Sequence, residues 1–454
     1  MPDPTTRRSL LAASAAVTAA AVAPRALAAT ASRLARQAAD AQADGIAYQA
    51  WTTAADWGDG EALGTGVVSG ARPGLRIEAA AGTADYLDPH TGATADWEWA
   101  SWTSPERPLA VAATQAVVSW NAEAPAGTWI AVELRGAYPD ETRTPWYVMG
   151  RWAAGDQDIR RTSVDGQQDG RSSVRTDTFA IDTPASGLRL ATCQLRLTLH
   201  RRPGTALTPV VRRLGVLTSD LPERSEVPAT GPGPAAGCEL PVPRYSQETH
   251  QGQYPRYDSG GEAWCSPTSS QMVIAYWGRT PAPADLAWVD PAYPDPQVCQ
   301  AARGTYDYQY QGCGNWPFNA AYAATYPDLR AVVTRLRSLT DAETLILAGI
   351  PVITSVCFLP SELDGAGYGT AGHLMTVIGF TTDGDVIAND PAAPSDEAVR
   401  RVYRRHQFEN AWLRTSWTNA EGVATSGSGG ICYLYFPAEP TAPQVRALAA
   451  CGVR

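Results

Sequence analysis

Trp264-Cys265-Ser266-Pro267-Thr268-Ser269-Ser270-Gln271-Met272-Val273-Ile274-Ala275-Tyr276-Trp277-Gly278 is the stretch on which the fold turns. A glycine turn, Ser259-Gly260-Gly261, precedes it. Pro267 suits a first helical position, where its missing N–H would have no partner anyway. Met272, Val273, Tyr276 and Trp277 recur at helical spacing, and Gly278 ends the run. Cys265 therefore falls at or just before a helix N-terminus. Orphan N–H groups and the positive end of the helix dipole favour anionic sulfur there, which makes Cys265 a candidate nucleophile. A small buried cysteine fits the same local pattern. The residues that separate the two readings lie downstream, between 373 and 390.

The chain has 454 residues, 44% of them hydrophobic and 18% charged. That length exceeds one comfortable core, so two or more domains are expected. A formal charge of −10 argues against nucleic acid as a main partner. At the start, Thr6-Arg7-Arg8-Ser9-Leu10-Leu11 opens a charged head, residues 10–23 are mildly apolar, and Ala26-Leu27-Ala28 offers a cleavage site. Residues 1–29 thus look like a twin-arginine signal peptide, and an exported protein is expected to begin near Ala29. That run is too short to span a membrane, and no later stretch approaches the ~18 apolar residues a span needs. The expected location is extracellular.

Eight cysteines fall at 193, 238, 265, 299, 313, 357, 432 and 451, with no C-x-x-C pair. No histidine sits at zinc spacing from them, so no metal or other cofactor is expected. Export favours disulfides. Cys299 and Cys313 flank one polar loop and are the leading candidates for a bridge, whereas Cys357 lies in the apolar run 352–358 and suits a core.

Residues 46–222 alternate in short strands between turns, clearest at 128–136, 146–152, 188–199 and 208–217, which points to an all-β sandwich or jelly roll. Nine of the fifteen tryptophans lie within residues 51–152. Rows of such rings can stack on the sugars of a cell-wall polysaccharide, but interior packing is the favoured reading for most of them. Residues 223–240, rich in breakers and without periodicity, read as a linker. From 241 to 437 the pattern is mixed α and β. After the Cys265 helix come a loop-rich stretch over 281–311, a helix over 316–326 and a strand over 329–335. A capping box, Thr340-Asp341-Ala342-Glu343, opens a helix to 348, followed by an apolar strand over 350–358. A hairpin over 374–380 and 386–388 turns at Asp383-Gly384. A short helix over 408–413 and a strand over 430–436 follow, and 438–454 read as a tail.

His373 stands where the loop GAGYGTAG becomes the strand LMTVIGF, and the partner strand runs into Asn389-Asp390-Pro391. A cysteine on a helix start, a histidine, and an acid or amide on the neighbouring strand form a nucleophile, its base and the group that orients the base. His406, in an arginine-rich stretch, reads as a solvated surface residue. Symmetric pairing about Asp383-Gly384 sets Asp390 opposite Val377, on the face of His373 but about 13 Å along the strand. A longer loop or a bulge is therefore expected to slip the register, and a slip of one residue would favour Asn389 instead.

The ordered motifs VPRYSQ, WCSPTSSQMVIAYWG, AGIPVI, GHLMTVIGF and VIANDP resemble the papain-like cysteine peptidase family 39, typified by bacteriocin-leader peptidases. The similarity is greater to secreted actinobacterial members with an N-terminal β domain. It covers roughly residues 241–436. It implies Cys265 as nucleophile, His373 as base, Asp390 as orienting acid and Gln247 as an oxyanion-hole amide, with Gln251 and Gln253 the next candidates. Two features depart from the family pattern: Ser266-Pro267 follows the cysteine where the family has glycine, and Gln247 lies eighteen positions before Cys265, a longer gap than usual. The chain has no transporter domain, so cleavage of double-glycine leaders is not implied. The expected function is a secreted cysteine peptidase acting on peptides or proteins. An acyl transferase using the same triad and an inert wall-binding protein are the alternatives.

Overall fold

The structure is a computed structural model that describes residues 45–453, so the signal peptide expected over residues 1–29 lies outside the described residues. Residues 46–219 form two seven-stranded antiparallel sheets. One runs Ser172–Arg175, Thr178–Ile181, Gln115–Glu123, Val210–Ser219, Gly74–Ile77, Thr65–Val68, with Ile46–Trp51 also on Val210–Ser219. In the other, Leu190–Arg201 is central, between Thr128–Ala137 and Thr94–Thr103. The alternation legible at 128–136 sets cross-strand pairs: Leu134 faces Leu195, Val132 faces Leu197, and Ile130 faces Leu199, all fully buried. Each such side chain contributes roughly 1.5–3 kcal/mol on burial. Both sheets deliver residues to one core, where Trp51 and Trp57 meet Trp102 edge to face. A short helix, Ala54–Gly58, capped by Thr53, interrupts what the sequence suggested was purely β.

Tryptophans 51, 57, 97, 102, 120, 129 and 152 are buried. Trp99 is half-buried, and Trp146 lies under the guanidinium groups of Arg135 and Arg196. These rings pack the interior rather than form an exposed row.

The second half carries a six-stranded antiparallel sheet in the order Leu329–Arg335, Ile431–Pro437, Val352–Phe358, Thr370–Phe380, Val386–Asn389, Arg400–Tyr403. Helix Cys265–Tyr276 packs on Thr370–Phe380. Several expectations are corrected here. The loop-rich stretch 281–311 contains the helix Pro296–Thr305, whose Pro296 occupies the first turn instead of breaking it. The helix expected from Thr340 is Leu339–Leu347, and its N-cap is Ser338, whose hydroxyl accepts from the Asp341 amide. The tail 438–454 includes the helix Ala442–Ala450, which puts Ala447, Leu448 and Cys451 into the core. All eight cysteines are unbonded: Cys299 Sγ turns to His250 Nδ1 at 3.6 Å and Cys313 Sγ to the Ala302 carbonyl at 3.5 Å, so the expected bridge is not made.

Residues 223–240 do connect the two halves, but as a strap rather than a free tether. The Gly237 amide donates to Phe380 O, the Phe380 amide donates to Cys238 O, and Val227 and Ala235 are core residues. Gly379 permits this, since a Cβ there would sit 2.3 Å from Cys238 O. The halves themselves share interior. Phe318 packs on Trp120 at 6.1 Å within the core of the β half. Strand Leu329–Arg335 is a sheet edge, and its backbone is met by side chains of the β half. Asn121 donates to Ala331 O at 2.7 Å and accepts from its amide at 3.2 Å, while Ser119 accepts from the Val333 amide. An edge that would otherwise invite another strand is thereby covered.

Candidate active site

Helix Cys265–Tyr276 begins at Cys265 itself, so Pro267 is its third residue, still inside the first turn, where amides lack intrahelical partners. Gly278, at φ +69°, closes the far end. The serines that interrupt the apolar pattern fasten this helix to the sheet. Ser266 hydrogen-bonds Tyr433 OH at 3.0 Å, Ser270 bonds Tyr435 OH at 2.8 Å, and Ser269 donates to Leu374 O at 3.0 Å. Leu374 follows His373, so the last bond ties the cysteine's helix to the histidine's strand. Cys265 is half-buried and His373 buried.

Between Val377 and Gly379 the Thr370–Phe380 strand bulges, and five residues separate Phe380 from Val386. The register reaches Thr376 opposite Asn389, which sets Asp390 beside Met375, two residues from His373. The slip is thus two residues, half from the loop and half from the bulge, and face parity is kept. His373 Nε2 bonds Asp390 Oδ1 at 2.9 Å, and the Cys265 sulfur is near enough to the same ring to raise its pKa. Asn389 points the other way and donates to Val242 O and Pro243 O.

The electrostatics favour an ionised site. Burial opposes charge on His373, but the Cys265 sulfur and the Asp390 carboxylate outweigh it and raise the imidazole to about 10. Burial likewise works against the Asp390 carboxylate. Its contacts with His373, Tyr403 OH at 2.6 Å and the Ala392 amide at 3.0 Å prevail and hold it near about 2. Tyr368 OH donates to both carboxylate oxygens, at 3.1 and 3.0 Å, and its ring stands edge-on to His373. Burial and the adjacent carboxylate keep both phenols protonated, with pKa values well above the usual. The sequence reading missed Tyr368 and Tyr403. Nothing local marks them, since the carboxylate they serve is 22 and 13 residues away.

Gln247 is buried, and its amide is bonded to Pro391 O at 2.9 Å, next to Asp390. Its Nε2 donates to Glu262 O at 2.7 Å and to Glu248 Oε1 at 3.1 Å, and its Oε1 is buried without a partner. The seventeen residues between Gln247 and Cys265 form a compact loop with left-handed residues at Tyr254, Asp258 and Ser259. Gln253 is bound to His250 and Thr249, and Gln251 pairs with the exposed Glu262. Gln247, Cys265 and His373 line one open cleft of about 960 Å³. Among the described residues no cluster of three ligating side chains is set to hold a metal.

Residues 47–219 match the Peptidase C39 N-terminal domain, and residues 239–419 match the Peptidase C39-like family. Both halves of the chain are thus similar to peptidase C39 family models. A crystal structure of a Bacillus anthracis protein described as C39-like shares 18% identity, covering 45% of this chain and 98% of that one, with a TM-score of 0.27. No curated protein matches. Within the C39-like domain, Ser266 explains one departure from the family pattern seen in sequence, since its hydroxyl is a sheet anchor that glycine could not supply. No helix among the described residues is long and apolar enough to cross a membrane.

Proposed function

We propose that this chain is a secreted cysteine peptidase in which Cys265 attacks the scissile carbonyl, His373 moves the proton and Asp390 orients the ring. The observation that carries the reading is the anchored imidazole. Asp390 fixes His373 through Nε2, which leaves Nδ1 for the thiol, in a cleft open to a chain-like substrate. A nucleophile, its base and an orienting acid are what acyl transfer requires. The first amide of the helix, at Cys265, is one oxyanion donor by position, with no partner inside the helix. Gln247 is the second, and it serves by turning one N–H from Glu248 to the substrate oxygen. Tyr368 and Tyr403 hold the carboxylate that holds the histidine, so they are positioning residues. We read the C-terminal half as papain-like and the N-terminal half as a β-sandwich. Export rests on Thr6-Arg7-Arg8 and the apolar run after it.

The test is to alkylate Cys265 and screen a peptide library before and after. Cleavage that vanishes with one adduct on Cys265 supports the reading. Products that carry an added amine in place of water would make the chain a transferase, and a library left intact by fully reactive protein would leave a binding module.

A further inference from the structure

The β half supplies one wall of the cleft. Strands Ser172–Arg175 and Thr178–Ile181 turn through Thr176-Asp177, and residues 175–178 face the same space as Cys265 and His373. The turn is built into the other half of the molecule. Asp177 is buried and accepts from the Trp316 amide at 2.8 Å, at the start of helix Trp316–Ala323, and from Thr178 Oγ1 at 2.9 Å. Thr176 has φ +54°. A β-branched residue rarely adopts that region, and such strain collects where binding sites are held in shape.

Two arginines line the cleft. Arg335 is buried, with its guanidinium on Ser428 O, Gly429 O and Gln115 Oε1. Arg175 is exposed, and its guanidinium has no ion pair or hydrogen bond among the described residues. Its neighbour Asp177 is already engaged, as above, and the carboxylates of Glu248 and Glu262 line the cleft without pairing with it. A planar, always-charged fork set free on a rigid turn suits bidentate recognition of a carboxylate.

We propose that Arg175 is a specificity-determining residue that binds a carboxylate of the peptide lying across Cys265, either an acidic side chain or a free C-terminus. This rests on the peptidase reading for its substrate class, and extends it to a residue of the N-terminal half. That half then acts in substrate selection as well as in packing.

The experiment uses the full chain with Cys265→Ala, so that binding is read without turnover. Fluorescent hexapeptides are offered in matched pairs, Asp against Asn at each position and free acid against C-terminal amide. Acidic members should bind about tenfold or more tightly, in line with a charge-assisted hydrogen bond. Arg175→Glu should abolish that preference while leaving neutral members within about twofold, and Arg175→Lys should restore part of it. The Asp/Asn and acid/amide arms tell the two carboxylate sources apart. Equal affinity within every pair, an equal loss across all pairs on Arg175→Glu, or no binding of any peptide would overturn the proposal. Turnover of the same peptides by the unsubstituted chain is scored separately. Failure there, with the acid preference intact, would sink the peptidase reading but leave Arg175 as a carboxylate site.

Discussion

The C-terminal half holds two cysteine–histidine pairs, and they differ in what surrounds them. Cys299 and His250 stand 3.6 Å apart, sealed among Trp264, Tyr257 and Val298. The partner of the His250 ring is Gln253 Oε1 at 2.9 Å, a neutral amide. Burial pushes the Cys299 thiol up to about 12 and lowers the His250 imidazole, so both stay uncharged. Cys265 and His373 also meet in a buried setting, yet there Asp390 and the sulfur raise the imidazole to about 10. Proximity of thiol and ring is common to both pairs. A carboxylate behind the ring and a cleft in front of the sulfur belong to one of them, and the proposed catalysis needs both.

The largest effect should separate the two cysteines. Cys265→Ala should cut peptide turnover by on the order of 10⁴-fold or more. Cys299→Ala should leave turnover within about threefold and cost roughly 1–2 kcal/mol in denaturant unfolding as a small cavity opens. A Cys299 variant as inactive as the Cys265 variant would erase the distinction.

Next is the carboxylate. Asp390→Asn should lower turnover by ~10³–10⁴-fold through loss of ring orientation, whereas Asn389→Ala should keep most activity. The pH response has a definite sign. Asp390 sits below its ordinary 3.8, so the stability it adds is present above that value and is lost as pH falls towards about 2. His373 sits above its ordinary 6.5, so its contribution is complete below that value and is lost as pH rises through about 10. Activity should fall on the same alkaline limb. Asp390→Asn should move that limb down towards the ordinary imidazole value, measured as kcat/KM against pH. An unmoved limb would mean that the carboxylate does not govern His373.

Gln247→Ala should lower kcat by about 10²–10³-fold with little change in stability. Glu248→Ala sharpens this, because it removes one acceptor of the Gln247 amide and should not reproduce the loss. The smallest effects belong to the hydroxyls on Asp390: Tyr368→Phe and Tyr403→Phe should each cost about tenfold, the low end for a hydrogen bond to a charged group. A combined variant that costs no more than either alone would show that the two hydroxyls act only together.

Much of this comparison was legible in the sequence, and the reason is local. The Cys265 helix declares itself by spacing, Pro267 and Gly278, and strand Leu329–Arg335 has the bounds its apolar run gives. Hairpin symmetry reached the face of Asp390 and called for a slip from a longer loop or a bulge, but not for its size, because neither the bulge at Ile378 nor the five-residue turn has a one-letter signature. What stayed hidden is assembled across the chain. Tyr403 arrives on a different strand, and the strap over residues 223–240 looks unstructured until its amides meet Phe380. The cleft wall at residues 175–178 comes from the other half of the molecule. Cys299 misled for the complementary reason: spacing alone suggested Cys313, while the fold turned its sulfur to His250.

Site-resolved alkylation tests the central claim most directly. Native protein is treated with iodoacetamide at neutral pH, and each cysteine is followed by peptide mass spectrometry, with and without His373→Ala. Cys265 should react faster than every other cysteine, including the half-buried Cys238, and slow markedly without His373, while Cys299 stays unmodified until the protein unfolds. Equal rates at Cys265 and Cys238, or a Cys265 rate indifferent to His373, would contradict the account.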